Sequence, residues 1–153
     1  MKKLVIQADD FGHSVPVNQA VLQTFRHGLV TSAALMTNMP GFSQACALAM
    51  EWNIPLGIHI NLTEGYPVNS AHAIPDLVDG QGRFLPKWRF LRSFYRGALS
   101  VRQIGFEVDA QIERALHQGL TLYQLNSHHH IHTIPRLGTL FAEAASRYGI
   151  PWI

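Results

Sequence analysis

Carboxylates and imidazoles gather in three short segments of this sequence: Asp9-Asp10, His59, and His128-His129-His130 with His132. Two histidines and one carboxylate on a divalent cation leave coordination positions open for water and substrate. Such a cation lowers the pKa of bound water towards about 7 and polarises a carbonyl, which is the chemistry of hydrolysis. A second carboxylate beside the ligand can take the proton from that water. Each segment also has a plainer reading. An Asp-Asp pair after a strand is often a solvated turn, and a single histidine in an apolar run is often a hydrogen-bonded core residue. The histidine run is more specific, because local His-rich tracts favour metal. What joins the three is position: each falls at or near the C-terminal end of an expected strand, where α/β folds build their sites.

The elements that place them follow from periodicity. Leu4 to Ala8 reads as a buried parallel strand running into an Asp9–Gly12 loop. Ser14 is the expected N-cap of a helix carrying Val17, Val21, Leu22 and Phe25 and stopping at Gly28. A second strand is expected over Thr31 to Met36, a helix over Phe42 to Met50, and a third strand over Leu56 to Leu62, where His59 points opposite to Ile58 and Ile60. Thr63 to Pro86 is rich in turn residues and reads as a long loop, a type that is usually functional or mobile. A short helix over Trp88 to Arg96 and a longer one capped by Ser100 and ended by Gly119 come next. Its stripe of Ile104, Val108, Ile112, Ala115 and Leu116 is core. Leu122 to Asn126 is the fourth strand, Pro135 opens a last helix closed by Gly149, and Pro151 to Ile153 begins a fifth strand. Alternating strand and helix define an α/β architecture with mostly parallel strands.

Composition narrows the classes. A chain of 153 residues with 47% hydrophobic content has the size and core of one domain. The net charge of +2 is spread without a Lys/Arg block, which argues against nucleic acid as partner. The basic start, Met1 to Lys3, resembles that of a signal peptide but meets aspartates too soon, and no apolar run approaches the about 20 residues of a membrane span. A cytoplasmic protein is expected. Cys46, the single cysteine, sits among Ala45, Ala47 and Leu48 and reads as core filler. No internal repeat is visible. A chain stopping on entry to an apolar strand is expected to be the N-terminal part of a longer catalytic domain. An uncovered edge would then invite a homodimer or lower stability.

The segments Ala8-Asp9-Asp10-Phe11-Gly12, Gly57 to Gly65 (GIHINLTEG) and Ser127 to His132 (SHHHIH) resemble, in order, the three signature segments of the YdjC-like carbohydrate deacetylases. Smaller echoes are Val17-Asn18, Gly28 to Ser32 and Glu107 to Glu113. The resemblance implies a polysaccharide-deacetylase-like (β/α) barrel, incomplete in this chain because the family's domain is longer. It implies removal of acetyl groups from a small N-acetylated sugar with one divalent metal. Carried over by position, it implies Asp10, His59 and His128 as ligands and Asp9 as general base. The metal could be Mg or Zn, with Co, Mn or Fe as alternatives. The expected proton donor to the leaving amine is His132 or a histidine from the rest of the longer domain, and Glu64 a hydrogen-bonding partner of the sugar; Phe11, Tyr66 and Trp88 are either aromatic faces for the sugar or loop anchors and core. Where many members carry Asp before the Ser-His-His-His run, this chain has Asn126, as in the hopanoid branch of the family. That keeps a short polar side chain and removes a charge. Two rival readings use the same residues: a relative that binds metal or sugar without turnover, and a non-haem iron oxygenase.

Overall fold

The computed structural model describes residues 4–153, so the basic start at Met1 to Lys3 lies outside the described residues. Four strands, β1 (Gln7–Phe11), β2 (Ser32–Leu35), β3 (Leu56–Ile60) and β4 (Leu122–Ser127), pair in parallel in chain order. The crossovers are helical: α1 (Val15–His27), α2 (Phe42–Trp52), then α3 (Lys87–Tyr95) and α4 (Val101–Leu116), with α5 (Pro135–Arg147) following β4. Sequential parallel strands with helices on one side form part of a (β/α) barrel wall, as expected.

The core lies between sheet and helices. Ala33, Leu35, Ile58, Ile60 and Leu125 meet Val21, Phe42, Ile104, Ile112 and Phe141, all buried. Each such Leu, Ile or Phe contributes about 1.5–3 kcal/mol on burial. Cys46 belongs to this layer, and burial pushes its thiol up to about 11, so core filler is its role. The long loop carries structure of its own. A 3-10 turn at Pro75–Leu77 and a bridge between Val78 and Phe84 seat Ile74, Leu77 and Phe84 in the core.

Several boundaries differ from expectation. The first strand was expected over Leu4 to Ala8 but starts at Gln7 and runs through both aspartates, because its ladder with β2 begins at Gln7↔Ser32 and Leu4 and Val5 are exposed. β3 ends at Ile60 rather than Leu62. Asn61 Oδ1 accepts the backbone N–H groups of Thr63 and Glu64 and turns the chain there. Ser14 occupies the N-cap of α1 but its side chain makes no capping bond, whereas Ser100 Oγ accepts from Gln103 N at 3.4 Å. The fifth strand is present as a single parallel bridge between Gln124 and Trp152.

A candidate metal centre at the strand ends

Both aspartates reach the site through a bulge. Ala8 pairs with Ala33 and Phe11 with Leu35, so Asp9 and Asp10 together oppose Ala34. Asp10 takes the left-handed conformation there, φ 60°. Gly12 follows at φ 97°, where a Cβ would lie 2.5 Å from the Met36 carbonyl oxygen, so no other residue fits without backbone movement. The buried Asn18 of α1 ties down this turn: its Oδ1 accepts from Gly12 N at 2.7 Å and its Nδ2 donates to the Gly41 carbonyl at 2.9 Å. His129 and His130, at the end of β4, are also left-handed. Three of the four non-glycine residues at positive φ among the described residues thus surround one place, where the fold holds backbone strain.

Asp10, His59 and His128 converge, with candidate ligand atoms all within 4.8 Å of one another. Asp10 Oδ1 lies 3.2 Å from His59 Nε2 and 2.9 Å from His128 Nδ1. The contact with His59 Nε2, with the nearby charge of His128, holds the Asp10 carboxyl down to about 2 against the opposing effect of burial. Glu64 joins the cluster. Its Oε2 is 3.2 Å from His128 Nε2 and its Oε1 3.2 Å from His13 Nε2. Both ring nitrogens of His128 therefore face carboxylate oxygens. A neutral imidazole carries one proton, so one of these faces sets a lone pair against a carboxylate. A bound cation resolves that conflict, and the oxygen and nitrogen donors suit one divalent metal ion.

Asp9 stands on the other side of His59, with Oδ1 3.8 Å from Nδ1. Asn126 bridges the gap: its Oδ1 is 2.7 Å from His59 Nδ1 and its Nδ2 donates to Asp9 Oδ1 at 3.1 Å. His132 is half-buried, its Nδ1 2.7 Å from Ser127 Oγ, and burial chiefly holds its pKa below the usual histidine value. Thr63 Oγ1 meets His129 Nδ1 at 3.0 Å, outside the triad.

The aromatic residues part company. Phe11 is wholly buried in the core, so the expectation that it stacks on a sugar is corrected: the strand turns its ring inward among the helices. Tyr66 is exposed, accepts from Arg83 Nε at 3.2 Å, and lines a cavity of about 520 Å³ with Asn38, Phe42, Arg83 and Arg114. Asn38 Nδ2 donates to the carbonyls of both Glu64 and Tyr66, so this cavity adjoins the cluster. Trp88 is exposed near the start of α3, where Lys87 is close enough to act on His129.

Glu107 and Gln111, within the Glu107 to Glu113 segment noted above but given no role there, form a buried support beneath the site. Glu107 of α4 accepts from the backbone of Val68 and Asn69, from Asn69 Nδ2 and from Gln111 Nε2. Gln111 in turn clasps the backbone of Asn61, the residue that turns the chain into Glu64. The signal was a pair of polar residues four apart beside an apolar stripe. His13, one residue past Gly12, was unmarked.

A metal-ready cluster of two histidines and carboxylates on the strand ends of a (β/α) wall defines the class of site. The chain belongs to the YdjC-like protein family, whose model matches residues 3–153. It is 40% identical to a carbohydrate deacetylase of Brevibacillus brevis over 97% of this chain and 58% of that protein. With a carbohydrate deacetylase of Mus musculus it shares 35% identity over 97% of this chain and 48% of the other. A crystal structure of a candidate cellobiose-phosphate cleavage protein from Enterococcus faecalis superposes with a TM-score of 0.89 at 29% identity, covering 99% of this chain and 58% of that one. The chain thus spans about half the length of the curated relatives it matches. No helix among the described residues is long and apolar enough to cross a membrane.

Proposed function

We propose that this chain carries the metal centre of a carbohydrate N-deacetylase that hydrolyses the acetamido group of a small N-acetylated sugar, such as a chitooligosaccharide. The observation that carries this reading is the convergence of Asp10, His59 and His128 beside a separate carboxylate, Asp9. Asp10, His59 and His128 hold one divalent ion, magnesium or zinc in first place. When bound, that ion supplies Lewis acidity toward the acetyl carbonyl and the charge that develops on its oxygen. Asp9 takes a proton from the attacking water, and Asn126 keeps its carboxylate turned to the site. Cleavage of the C–N bond releases acetate, and the departing nitrogen needs a proton. The proton that Asp9 took from the water passes to that nitrogen through His132, whose imidazole burial keeps neutral near pH 7 and so able to accept it first. Glu64 steadies His128 and His13. Tyr66 offers an exposed face beside the adjoining cavity and Trp88 a second one on α3.

The similarity to carbohydrate deacetylases supports the substrate class. We place the protein in the cytoplasm and include a homodimer through an open sheet edge in the reading. The test is acetate release from chitooligosaccharides by protein loaded in turn with Mg or Zn, alongside sedimentation. Metal-dependent acetate with a matching new amine is expected. Sugar binding without acetate would leave a binding relative instead, and oxygen consumption with a 2-oxo acid would revive the oxygenase.

A further inference from the structure

We infer that Asn126 is a positioning residue that couples the negative charge of Asp9 to the tautomer of His59, and so keeps His59 Nε2 open as a ligand. Asn126 is the direct register partner of His59 across β3 and β4. Its amide lies between groups of opposite demand. On one side Nδ2 is 3.1 Å from Asp9 Oδ1 and 3.3 Å from Gln7 Oε1. On the other, Oδ1 is 2.7 Å from His59 Nδ1.

A carboxylate and an amide oxygen only accept, so the Asn126 NH2 must turn toward Asp9 and Gln7. The Asn126 carbonyl is then fixed toward His59, and a carbonyl also only accepts. His59 Nδ1 must therefore carry the proton. In the neutral ring that leaves the lone pair on Nε2 facing Asp10 Oδ1 at 3.2 Å, an acceptor-to-acceptor contact that a cation bound between them relieves. His59 is 2% exposed, so water does not compete for Nδ1 and the orientation holds. The sequence of constraint runs from the Asp9 charge through an uncharged amide to the metal-facing nitrogen. Neither alanine nor aspartate reproduces both halves. Alanine directs nothing, while aspartate accepts from Nδ1 but sets a second carboxylate against Asp9.

This inference rests on the proposed function only in taking the cluster as a metal site; proton transfer by Asp9 is not required. The test compares wild type, Asn126→Ala and Asn126→Asp by two readouts that need no turnover. The first is the nitrogen-15 spectrum of the His59 ring in metal-free protein at about pH 8, above the ordinary histidine pKa of about 6.5. The second is zinc affinity by competition with a chelating dye. Wild type is expected to show the Nδ1–H form and Asn126→Ala a mixture of tautomers with zinc binding about 10- to 100-fold weaker; Asn126→Asp should restore the tautomer and come within about threefold of wild-type affinity. A wild-type ring protonated on Nε2, or an Asn126→Ala variant with wild-type spectrum and affinity, overturns the inference. So does an Asn126→Asp variant that melts normally yet matches alanine in both readouts. If wild type binds no zinc, the metal reading fails while the tautomer comparison still decides the role of Asn126.

Discussion

Asp9 and Asp10 are neighbours in the chain, yet both carboxylates reach the same imidazole: Asp9 stands 3.8 Å from Nδ1 of His59 and Asp10 3.2 Å from its Nε2. In a regular strand, consecutive side chains point to opposite faces. The bulge opposite Ala34 and the left-handed Asp10 cancel that alternation. The left-handed conformation costs about 1–2 kcal/mol for such a residue. What it provides is two acids on two sides of one ring, with different neighbours, the basis for the different tasks proposed for them.

That division can be measured. Asp10→Asn should lose most bound metal, because the amide brings no charge to the cluster. Asp9→Asn should keep metal within a few-fold and lower turnover at least about 100-fold, since an amide cannot accept the proton. Metal content and the rate of acetate release, on an active and metal-loaded form, separate the two. Metal loss in Asp9→Asn with retention in Asp10→Asn would exchange the roles.

The histidines should divide in the same way. His59→Ala and His128→Ala are expected to bring metal occupancy close to nil, whereas His129→Ala leaves it nearly intact. His129 faces Thr63 Oγ1 at 3.0 Å and stands outside the triad. Elemental analysis of the three purified variants checks this, and equal stoichiometric metal in all of them would sink the ligand assignment.

Much of this arrangement was legible in residue order. Period and punctuation placed every helix to within a few residues, and the strand ends pointed to Asp10, His59 and His128. What stayed hidden depends on through-space pairing. The bulge cannot be read from Asp9-Asp10, because an acidic pair before Gly12 looks the same whether it ends a strand or continues it. Which of its two expected places Phe11 takes, sugar face or core, was hidden for the same reason: once the strand runs on, its ring turns into the core. The Asn126 bridge joins residues 117 positions apart in sequence, and only strand register brings them together.

A third expectation concerns the support beneath Glu64. The Glu107 carboxylate is fully buried and accepts four hydrogen bonds at 2.8–3.0 Å, two of them from backbone N–H groups. Glu107→Leu strands those donors in an apolar place, at about 1–3 kcal/mol for each one left unpaired. Glu107→Gln keeps one acceptor oxygen but turns an NH2 toward donors. Chemical denaturation should show a loss of at least about 3 kcal/mol for leucine and a smaller one for glutamine. A leucine variant within experimental error of wild type would mean that Val68 and Asn69 find other partners.

The acid side of the stability curve should carry the imprint of His132. Burial holds its pKa below the ordinary 6.5, so the unfolded chain binds a proton more readily than the native one. The sign follows directly. Above 6.5 the ring is neutral in both states and its contribution to stability is complete; as pH falls below 6.5, the unfolded state gains protons first and that contribution erodes. Asp10 acts far lower, since its depressed carboxyl gives up stability only as pH falls from 3.8 through about 2. Between about pH 7 and pH 5, therefore, replacing His132 by glutamine should flatten the fall of melting temperature, while Asp10 contributes little there. Melts in the presence of a chelator remove metal linkage from the comparison. The two curves should converge toward low pH, the variant starting lower because it loses the Ser127 Oγ contact at 2.7 Å. Parallel curves across that range would show that His132 takes up its proton as easily in the folded protein as in the unfolded chain.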